Sequence, residues 1–556
     1  MLAQPANSPD NSHMKRIVPS DLDSRRFDLA IIGGGINGAA IARDAALRGM
    51  SVVLLEKDDF ASGTTSWATR LIHGGLRYLE HFELGLVHES LVERGRLLEN
   101  APHLVDPLPL VLPVFRGGKH APFKLLAGMH LYDFFSRGDA MPKHGWFSRK
   151  ETGARWPELT MEGLLGSFRY FDAQASFPER LVIEQIASAV SFGAVALNYA
   201  RVTSIDTDGS VVSGVTFVDE LSGESHSVRA RAVVNVAGPW VDQVLSSLDP
   251  EPKREIGGTK GSHIFLETTG AEPMDAIYAE SESDGRPFFI IPWNSLTMIG
   301  TTDLPFEGDL DDVVATEDEI DYLLQETKRL LPALDTSREQ VLFTYSGVRP
   351  LPYVDASSPG GITRKHSLID HSPTRQGLYS VIGGKLTTHR SLAEEVVNEI
   401  ARDIGNREPC STRNLPFPNS PGAGMEALRE DLMEAFGMSG PAVERLTSVY
   451  GTRAREIAKL DASDQSLAAP LADGSLATGA EIVWAFENEM AVGLSDAVIR
   501  RAVAAWNADL GRSVAEGAAR IGQSHLGWGK DRVADELAEF DSYIARFKVE
   551  SAPELA

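Results

Sequence analysis

The chain has 556 residues, 43% of them hydrophobic and 24% charged; this suits a globular protein too long for a single core, so we expect two or three domains. Its net charge of −25 argues against broad nucleic-acid binding, and a single cysteine, Cys410, excludes an intramolecular disulfide and a cysteine-rich metal site. No apolar run of about 18 residues occurs, so the sequence predicts no transmembrane helix. Residues 1–26 are polar and are expected to form a flexible tail.

The stretch Phe27–Lys57 has the pattern strand, tight turn, helix, strand and acid. Gly33 permits the turn, Gly35 lets the backbone approach a pyrophosphate, and Gly38 lets the helix pack closely on the strand. The N–H groups of the first helical turn attract phosphates, and Glu56 can accept hydrogen bonds from ribose hydroxyls. The alternative is a glycine-rich turn in an ordinary α/β protein. We predict a dinucleotide site with these cofactor-binding candidates: Gly33, Gly34, Gly35, Ile36, Asn37, Gly38 and Glu56.

A loop rich in hydroxyl side chains follows Glu56 and ends in a His-Gly-Gly bend. It adds six cofactor-binding candidates: Thr65, Ser66, Thr69, His73, Gly74 and Gly75. Arg77 and Tyr78 come next, and Arg77 is interpreted either as a structural arginine or as an anion-binding residue. The spacing of apolar residues then predicts an amphipathic helix over Gly85–Asn100.

The segment 116–150 is basic in an otherwise acidic chain, with seven Lys or Arg, two acids and six interleaved aromatic residues. Such a stretch can lie on an anionic membrane surface. A positively lined internal cleft or a solvated face explains it equally well, and the sequence leaves these readings open.

An α/β pattern returns at Phe177, with a helix predicted over Pro178–Ser191 and strands over 195–198, 202–207, 211–218 and 226–230. Val202, in the second of these strands, is a further cofactor-binding candidate. An apolar strand, 233–236, leads to Gly238, where the backbone could approach the cofactor a second time.

Residues 250–345 are mostly predicted strands, interrupted by a helix over Thr316–Leu331. They carry His263, and Arg349 follows them. A second junction of strand, glycine and helix then places Gly384 and Lys385 where a helix N-terminus could stabilise negative charge on a reduced flavin. Beyond it, a Pro-, Gly- and Ser-rich linker precedes a helical region with a capping-box spacing at Thr478 and Glu481.

The blocks IIGGGINGAAIARDAALRG, RLIHGGLRYLEH, TYSGVRPL and GGKLTTHR together resemble the FAD-dependent glycerol-3-phosphate dehydrogenases, within the larger family of D-amino-acid-oxidase-like flavoproteins. The resemblance covers most of Phe27–Glu395 and, more weakly, the C-terminal region. Where that family often has Ser-Lys, this chain has Thr69-Arg70.

The resemblance implies an α/β fold with a Rossmann-like FAD-binding domain, an inserted antiparallel-sheet cap domain and a C-terminal all-α domain. We accordingly divide the chain into a discontinuous FAD-binding domain (27–110, 176–245 and 346–405), a substrate or cap domain (111–175 and 246–345), a linker (406–425) and a helical domain (426–556).

The resemblance also implies oxidation of sn-glycerol 3-phosphate to dihydroxyacetone phosphate, with hydride transfer from C2 to flavin N5 and electrons passing to a membrane quinone. Its implied substrate-binding residues are Arg77, Tyr78, His263, Arg349 and Lys385, of which His263, Arg349 and Lys385 are the catalytic candidates. Cationic side chains suit a phosphate dianion, and the ordinary pKa of histidine suits a base for the hydroxyl proton. The sequence does not separate the roles of His263 and Arg349.

Three rival functions stay open: an oxidase that uses O2 and forms H2O2, an amine or amino-acid oxidase of the same superfamily, and a non-catalytic flavin-binding sensor or scaffold. The expected partners are sn-glycerol 3-phosphate, the quinone pool and an anionic membrane surface contacted by 116–150, with no nucleic acid and no metal; a homodimer is left open. The expected location is cytoplasmic, peripherally associated with the inner face of the cell membrane. Because the surface is acidic, we also expect a cationic funnel over the flavin.

Overall fold

The computed structural model describes residues 14–79, 82–119, 121–138, 141–268, 270, 272–354 and 365–549. Residues 1–13 of the predicted tail lie outside this range. From Met14 onward the segment packs on the body of the protein, because Met14 and Leu22 bury their side chains and strand β1 begins at Arg26. This packing differs from the flexible tail expected for 1–26.

The first sheet in the described part of the chain holds the predicted dinucleotide turn. Its eight strands, numbered along the chain, are β1 (Arg26–Ile32), β2 (Val52–Leu55), β7 (Val195–Leu197), β8 (Ala200–Asp208), β9 (Val211–Asp219), β10 (Ser225–Asn235), β17 (Ser367–Asp370) and β18 (Leu378–Ile382). The order is β17-β18-β10-β1-β2-β7, with β9 on β10 and β8 on β9. Strands β18, β10, β1, β2 and β7 are parallel, so their carboxyl ends share one edge.

The second sheet forms the wall opposite that edge. Its ten strands are β3 (Leu71–Ile72), β4 (Asp106–Phe115), β5 (Gly145–Ser148), β6 (Leu164–Gln174), β11 (Thr259–Glu267), β12 (Ala276–Glu280), β13 (Pro287–Trp293), β14 (Leu296–Gly300), β15 (Leu304–Pro305) and β16 (Val341–Arg349). It is antiparallel except for the pair β4 and β12. The domain boundaries stay predictions; strands β4 and β16 run across positions 110/111 and 345/346.

Helices cover the first sheet and fill the C-terminal region. The first eight are α1 (Ile36–Leu47), α2 (Leu84–Asn100), α3 (Pro122–Phe135), α4 (Arg149–Arg155), α5 (Pro178–Ser191), α6 (Val241–Leu245), α7 (Glu317–Leu330) and α8 (His389–Ile404). The C-terminal set is α9 (Met425–Phe436), α10 (Gly440–Tyr450), α11 (Ala454–Ser463), α12 (Gln465–Ala468), α13 (Gly479–Asn488), α14 (Arg512–His525) and α15 (Lys530–Ile544). The alanine-rich α1 packs between α5 and α8 on the sheet, since small side chains allow close helix approach.

Local patterns placed the long elements well. The predicted helices over Gly85–Asn100, Pro178–Ser191 and Thr316–Leu331 are confirmed within one residue at each end. The separate strands predicted at 226–230 and 233–236 are wrong: they are one continuous strand, β10, because the intervening residues keep the alternation of buried and exposed side chains.

Candidate functional site

The dinucleotide turn joins β1 to α1 and is closed by glycine. Gly33 has φ +113°, a conformation that residues with a Cβ rarely adopt. A Cβ on Gly38 would lie 1.9 Å from the carbonyl oxygen of Gly33. Thr65 Oγ1 accepts a hydrogen bond from the Ile36 amide at 3.1 Å. Only glycine at positions 33 and 38 therefore lets the strand, turn and helix pack as they do.

Glu56 stands at the carboxyl end of β2, where its carboxylate accepts hydrogen bonds from the amides of Gly34 at 2.5 Å and Asp58 at 3.0 Å. Burial raises the pKa of the Glu56 carboxyl to about 7, against the lowering effect of these two amide donors. The carboxyl group is thus fixed by backbone and poised to share a proton with a ligand hydroxyl.

A cavity of about 1000 Å³ opens at this edge of the first sheet, and we call it the cofactor cavity. Its volume is at the upper end of the range for small-molecule sites. Ten of the predicted residues line it: Gly33, Gly35, Ile36, Asn37, Glu56, Thr65, Val202, Gly238, Gly384 and Lys385.

The other predicted residues lie around the cofactor cavity without lining it: Gly34, Gly38, Ser66, Thr69, His73, Gly74, Gly75, Arg77, Tyr78, His263 and Arg349. Ser66 is fully buried and donates to the carbonyl of Ala61 at 2.7 Å. The Gly74 amide donates to Tyr132 Oη at 2.9 Å and Asp172 Oδ1 at 3.2 Å. Ser66 and Gly74 therefore shape the loop from behind.

His263 lies on β11, buried against the ring of Tyr345 with 4.9 Å between the ring centroids. Its Nε2 and Thr69 Oγ1 are 3.0 Å apart and share a hydrogen bond. Burial, and then the positive charges of Arg349 and Arg70, hold the pKa of His263 well below its usual value of 6.5. The sequence argument used the ordinary histidine pKa, and that part is wrong, because the fold lowers this pKa and favours the neutral ring.

Arg349 ends β16 directly after Val348, which lines the cofactor cavity. Its guanidinium group donates to Asp303 Oδ1 at 3.0 Å, Thr301 Oγ1 at 2.9 Å and the Thr302 carbonyl at 3.3 Å. These contacts fix the guanidinium plane. Its positive charge contributes to the lowered pKa of His263, and the two residues lie on the paired strands β16 and β11.

Lys385 contributes a second cation and lines the cavity itself. Its Nζ lies 3.8 Å from the centroid of the Tyr78 ring, a cation–π contact between two residues that the sequence assigned to the same site. Arg77 precedes Tyr78 in the half-buried turn Leu76–Leu79. The structure thus brings Lys385 and Tyr78 into contact.

Sequence reasoning missed one whole wall of the cofactor cavity. The C-terminal region contributes ten lining residues: Gly493, Leu494, Ser495, Asp496, Arg500, Glu536, Glu539, Tyr543, Arg546 and Phe547. It also missed Trp67, which lines the cavity and packs on Tyr345 and Phe547. An aromatic residue inside the hydroxyl-rich loop was the available signal for Trp67, whereas no local pattern marks the C-terminal residues.

The residues present fit FAD. A Cβ on Gly384 would lie 2.9 Å from the side-chain nitrogen Nδ2 of Asn37. The turn at Gly384 and the turn at Gly33 therefore approach each other at the N-terminus of α1. In the described part of the chain Asn37 Oδ1 is buried without a hydrogen-bond partner, as expected of a group that faces a bound molecule. Gly33, Gly35 and the α1 N-terminus would hold the pyrophosphate, and Glu56 the ribose.

Two families of known proteins match the chain. The FAD dependent oxidoreductase family matches residues 28–397, and the C-terminal domain of alpha-glycerophosphate oxidase matches residues 410–533. Fold, glycine turn and cavity agree with the first match. The class defined here is that of the FAD-dependent oxidoreductases, with FAD as cofactor.

Similar proteins narrow that class. A Synechocystis glycerol-3-phosphate dehydrogenase is 41% identical over 94% of this chain and 97% of its own. A Staphylococcus aureus aerobic glycerol-3-phosphate dehydrogenase is 33% identical over 88% of each chain. The Bacillus halodurans glycerol-3-phosphate dehydrogenase, solved in complex with FAD, superimposes with a TM-score of 0.77 at 28% identity, over 97% of this chain and 98% of its own. The chain belongs to the FAD-dependent glycerol-3-phosphate dehydrogenase family.

Proposed function

We propose that the protein oxidises sn-glycerol 3-phosphate to dihydroxyacetone phosphate. The observation that carries this is the presence of two cations beside the cofactor cavity: Lys385 lines it, and Arg349 directly follows Val348, which also lines it. Multiple cationic donors suit a phosphate dianion better than a neutral amine, which argues against an amine oxidase. The names of the relatives agree.

FAD, when bound, supplies the hydride acceptor for the C2–H of the substrate. Lys385 binds the phosphate, and Arg349 holds its fixed guanidinium group towards the C2 oxygen as that oxygen becomes a carbonyl. The neutral His263 accepts the hydroxyl proton. In the tautomer protonated at Nε2, Thr69 Oγ1 fixes the ring and Nδ1 is the acceptor; within the described residues Nδ1 is buried and has no hydrogen-bond partner.

The direct test is anaerobic reduction. The oxidised holoenzyme is mixed with sn-glycerol 3-phosphate without air, and the visible flavin band is followed. Rapid bleaching supports the proposal. A holoenzyme that bleaches with a panel of amines and not with the phosphate would be an amine oxidase, and one that no member of either panel reduces would be the non-catalytic flavoprotein.

For the acceptor we propose a membrane quinone, and the support is a surface suited to a bilayer. Helix α3 exposes Phe123 at 70% and Phe134 at 50%, with Leu126 on the same side. Lys or Arg residues at 116, 119, 124, 137, 143, 149 and 150 accompany it. The exposure of these rings disfavours the internal cleft. In the described part of the chain, no helix has the length and apolarity needed to cross a bilayer. An interfacial contact then brings the enzyme to its acceptor from the cytoplasmic side.

Vesicle binding tests this surface. We expect the parent to bind vesicles of anionic lipid, and to bind less as salt rises. Replacing Phe123 and Phe134 by serine should weaken binding at least about tenfold, from the apolar area each ring would bury. Phe192→Ser, which removes a half-exposed phenylalanine at the end of α5, is the matched control. Binding that ignores both salt and the double replacement would contradict the proposal.

An oxidase is the second candidate, because the C-terminal region matches the C-terminal domain of alpha-glycerophosphate oxidase. The two are separated by turnover under air with and without a short-chain quinone. A quinone-linked enzyme should reduce the quinone and yield little peroxide. Stoichiometric H2O2 that the quinone does not suppress would assign the oxidase.

A further inference from the structure

Asp59 joins the cofactor loop to the C-terminal helices. It lies three residues after Glu56, lines the cofactor cavity and is 1% exposed. Arg501 donates to both carboxylate oxygens, with Nη1 at 2.7 Å and Nη2 at 2.8 Å. Arg500 Nε donates at 2.6 Å and Asn198 Nδ2 at 3.1 Å. The two guanidinium groups lower the pKa of Asp59 to about 2 despite its burial, so the carboxylate is charged at neutral pH.

Both arginine donors belong to a π-helical turn, Asp496–Arg501. Turns of this kind often occur at functional sites. Asp496 fixes this turn by accepting the amides of Val492 at 2.8 Å and Gly493 at 3.2 Å. Its other oxygen accepts from Arg500 Nη2 at 2.6 Å and from Tyr199 Oη at 2.8 Å. The π-helical turn is therefore bonded to two separate parts of the FAD-binding region, the loop at Asp59 and the chain at Tyr199.

The chain at Tyr199 is also bonded to the turn that follows Glu56. The Tyr199 amide donates to the carbonyl of Asp58 at 2.8 Å, and the Ala200 amide donates to the carbonyl of Glu56 at 2.7 Å. Tyr199, Asp496 and Arg500 line the cofactor cavity beside Glu56. Arg501 is fully buried and does not line the cavity; among the described residues, its side chain bonds to the cofactor loop at Asp59 alone.

We propose that the C-terminal helical domain clamps the cofactor loop, with Arg501 as a positioning residue that acts through Asp59. The bidentate pair holds the Glu56 turn in its FAD-binding form, so FAD affinity and docking of the helical domain are coupled. Coupling is reciprocal: bound FAD stabilises the docked domain, and a loosened domain releases FAD.

The alternative is a purely structural network, since buried ion pairs fix geometry without necessarily adding function. The experiment separates the two by comparing two Arg→Met variants. Arg501→Met removes the bidentate pair with Asp59. Arg169→Met removes a bidentate pair with Asp275, with Nε at 2.7 Å and Nη2 at 3.1 Å, at the second sheet, where neither residue lines the cofactor cavity. Each protein is stripped of FAD, its melting temperature is measured, and FAD is titrated back by fluorescence quenching.

We expect Arg501→Met to raise the Kd for FAD at least about tenfold, the usual loss for a charge-assisted hydrogen bond. Arg169→Met should leave that Kd within about twofold at a comparable loss of melting temperature. With FAD saturating, kcat of Arg501→Met should return to near the parental value, because Arg501 touches neither cavity nor substrate. A folded Arg501→Met with unchanged Kd overturns the proposal, as does an equal rise in Kd for both variants.

Arg501→Lys keeps the test decisive if Arg501→Met does not fold. It retains the charge and replaces the planar bidentate donor with a single ammonium group. Its Kd for FAD should lie measurably above that of the parent. An unchanged Kd in this variant would then overturn the proposal.

Discussion

Replacing Arg349 by methionine is the sharpest test of the substrate site. The side chain is only 20% exposed and donates hydrogen bonds to Thr301, Thr302 and Asp303. Removing one oriented donor for a developing oxyanion typically costs ~2.7–4 kcal/mol in the transition state. Partial exposure screens some of this, so we take the lower part of that range and expect kcat/KM to fall by about 100-fold.

The same change costs stability by a separate route, because Asp303 loses its ion pair with Arg349. Asp303 is 13% exposed, and losing such a partner costs roughly 1–3 kcal/mol. The assay therefore measures flavin per protein and melting temperature together with anaerobic bleaching by sn-glycerol 3-phosphate. Arg254→Met, which removes a half-exposed arginine 3.5 Å from Glu307, is the control and should change kcat/KM less than about twofold. An FAD-loaded Arg349→Met with kcat/KM within about threefold of the parent would refute our reasoning.

Three further outcomes are expected. Gly38→Ala should abolish FAD binding, since its Cβ would lie 1.9 Å from the Gly33 oxygen, whereas Gly85→Ala, which meets open space, should not; a yellow, FAD-loaded Gly38→Ala would contradict the turn. Burial and nearby arginines lower the pKa of His103 to about 3, so an unfolded chain takes up a proton below pH 6.5 that the folded chain refuses, and stability is lost as pH falls. His103→Leu should thus retain about 2–3 kcal/mol more of its pH 7 unfolding free energy at pH 4.5 than the parent does, by denaturant titration at both pH values. The pKa of His263 lies well below 6.5, so this residue should not cause an inflection near pH 6.5 in the pH profile of kcat/KM. Any inflection seen there in the parent should also be present in His263→Gln.

The cofactor turn could be predicted because its determinants are local. Gly33, Gly38 and Glu56 lie within one strand-helix-strand unit, where the spacing alone decides which backbone can approach a phosphate. The same holds for the capping box of α13, where Glu481 accepts the Thr478 amide at 3.0 Å. In both places the residues that determine the structure lie close together in the sequence, so the sequence pattern alone predicts it.

The remaining parts of the site depend on contacts between distant residues. Thr69 and His263 are 194 positions apart, and Asp59 and Arg501 are 442 apart. Nothing around Arg501 in the sequence marks it as a partner of the cofactor loop. The low pKa of His263 likewise follows from burial on β11 beside Arg349, which only the folded sheet creates.

The charge of the cavity wall shows where substrate recognition must arise. Acids outnumber bases along the lining, with Glu56, Asp58 and Asp59 next to the nucleotide turn. The cationic funnel over the flavin stays a prediction. Arg500, another lining cation, is already committed to Asp59 and Asp496. A net charge of −25 does not favour long-range attraction of a phosphate dianion. For the proposed reaction we therefore expect selection to come from short-range bonds at Lys385 and Arg349, where burial strengthens each contact and bond geometry distinguishes one anion from another.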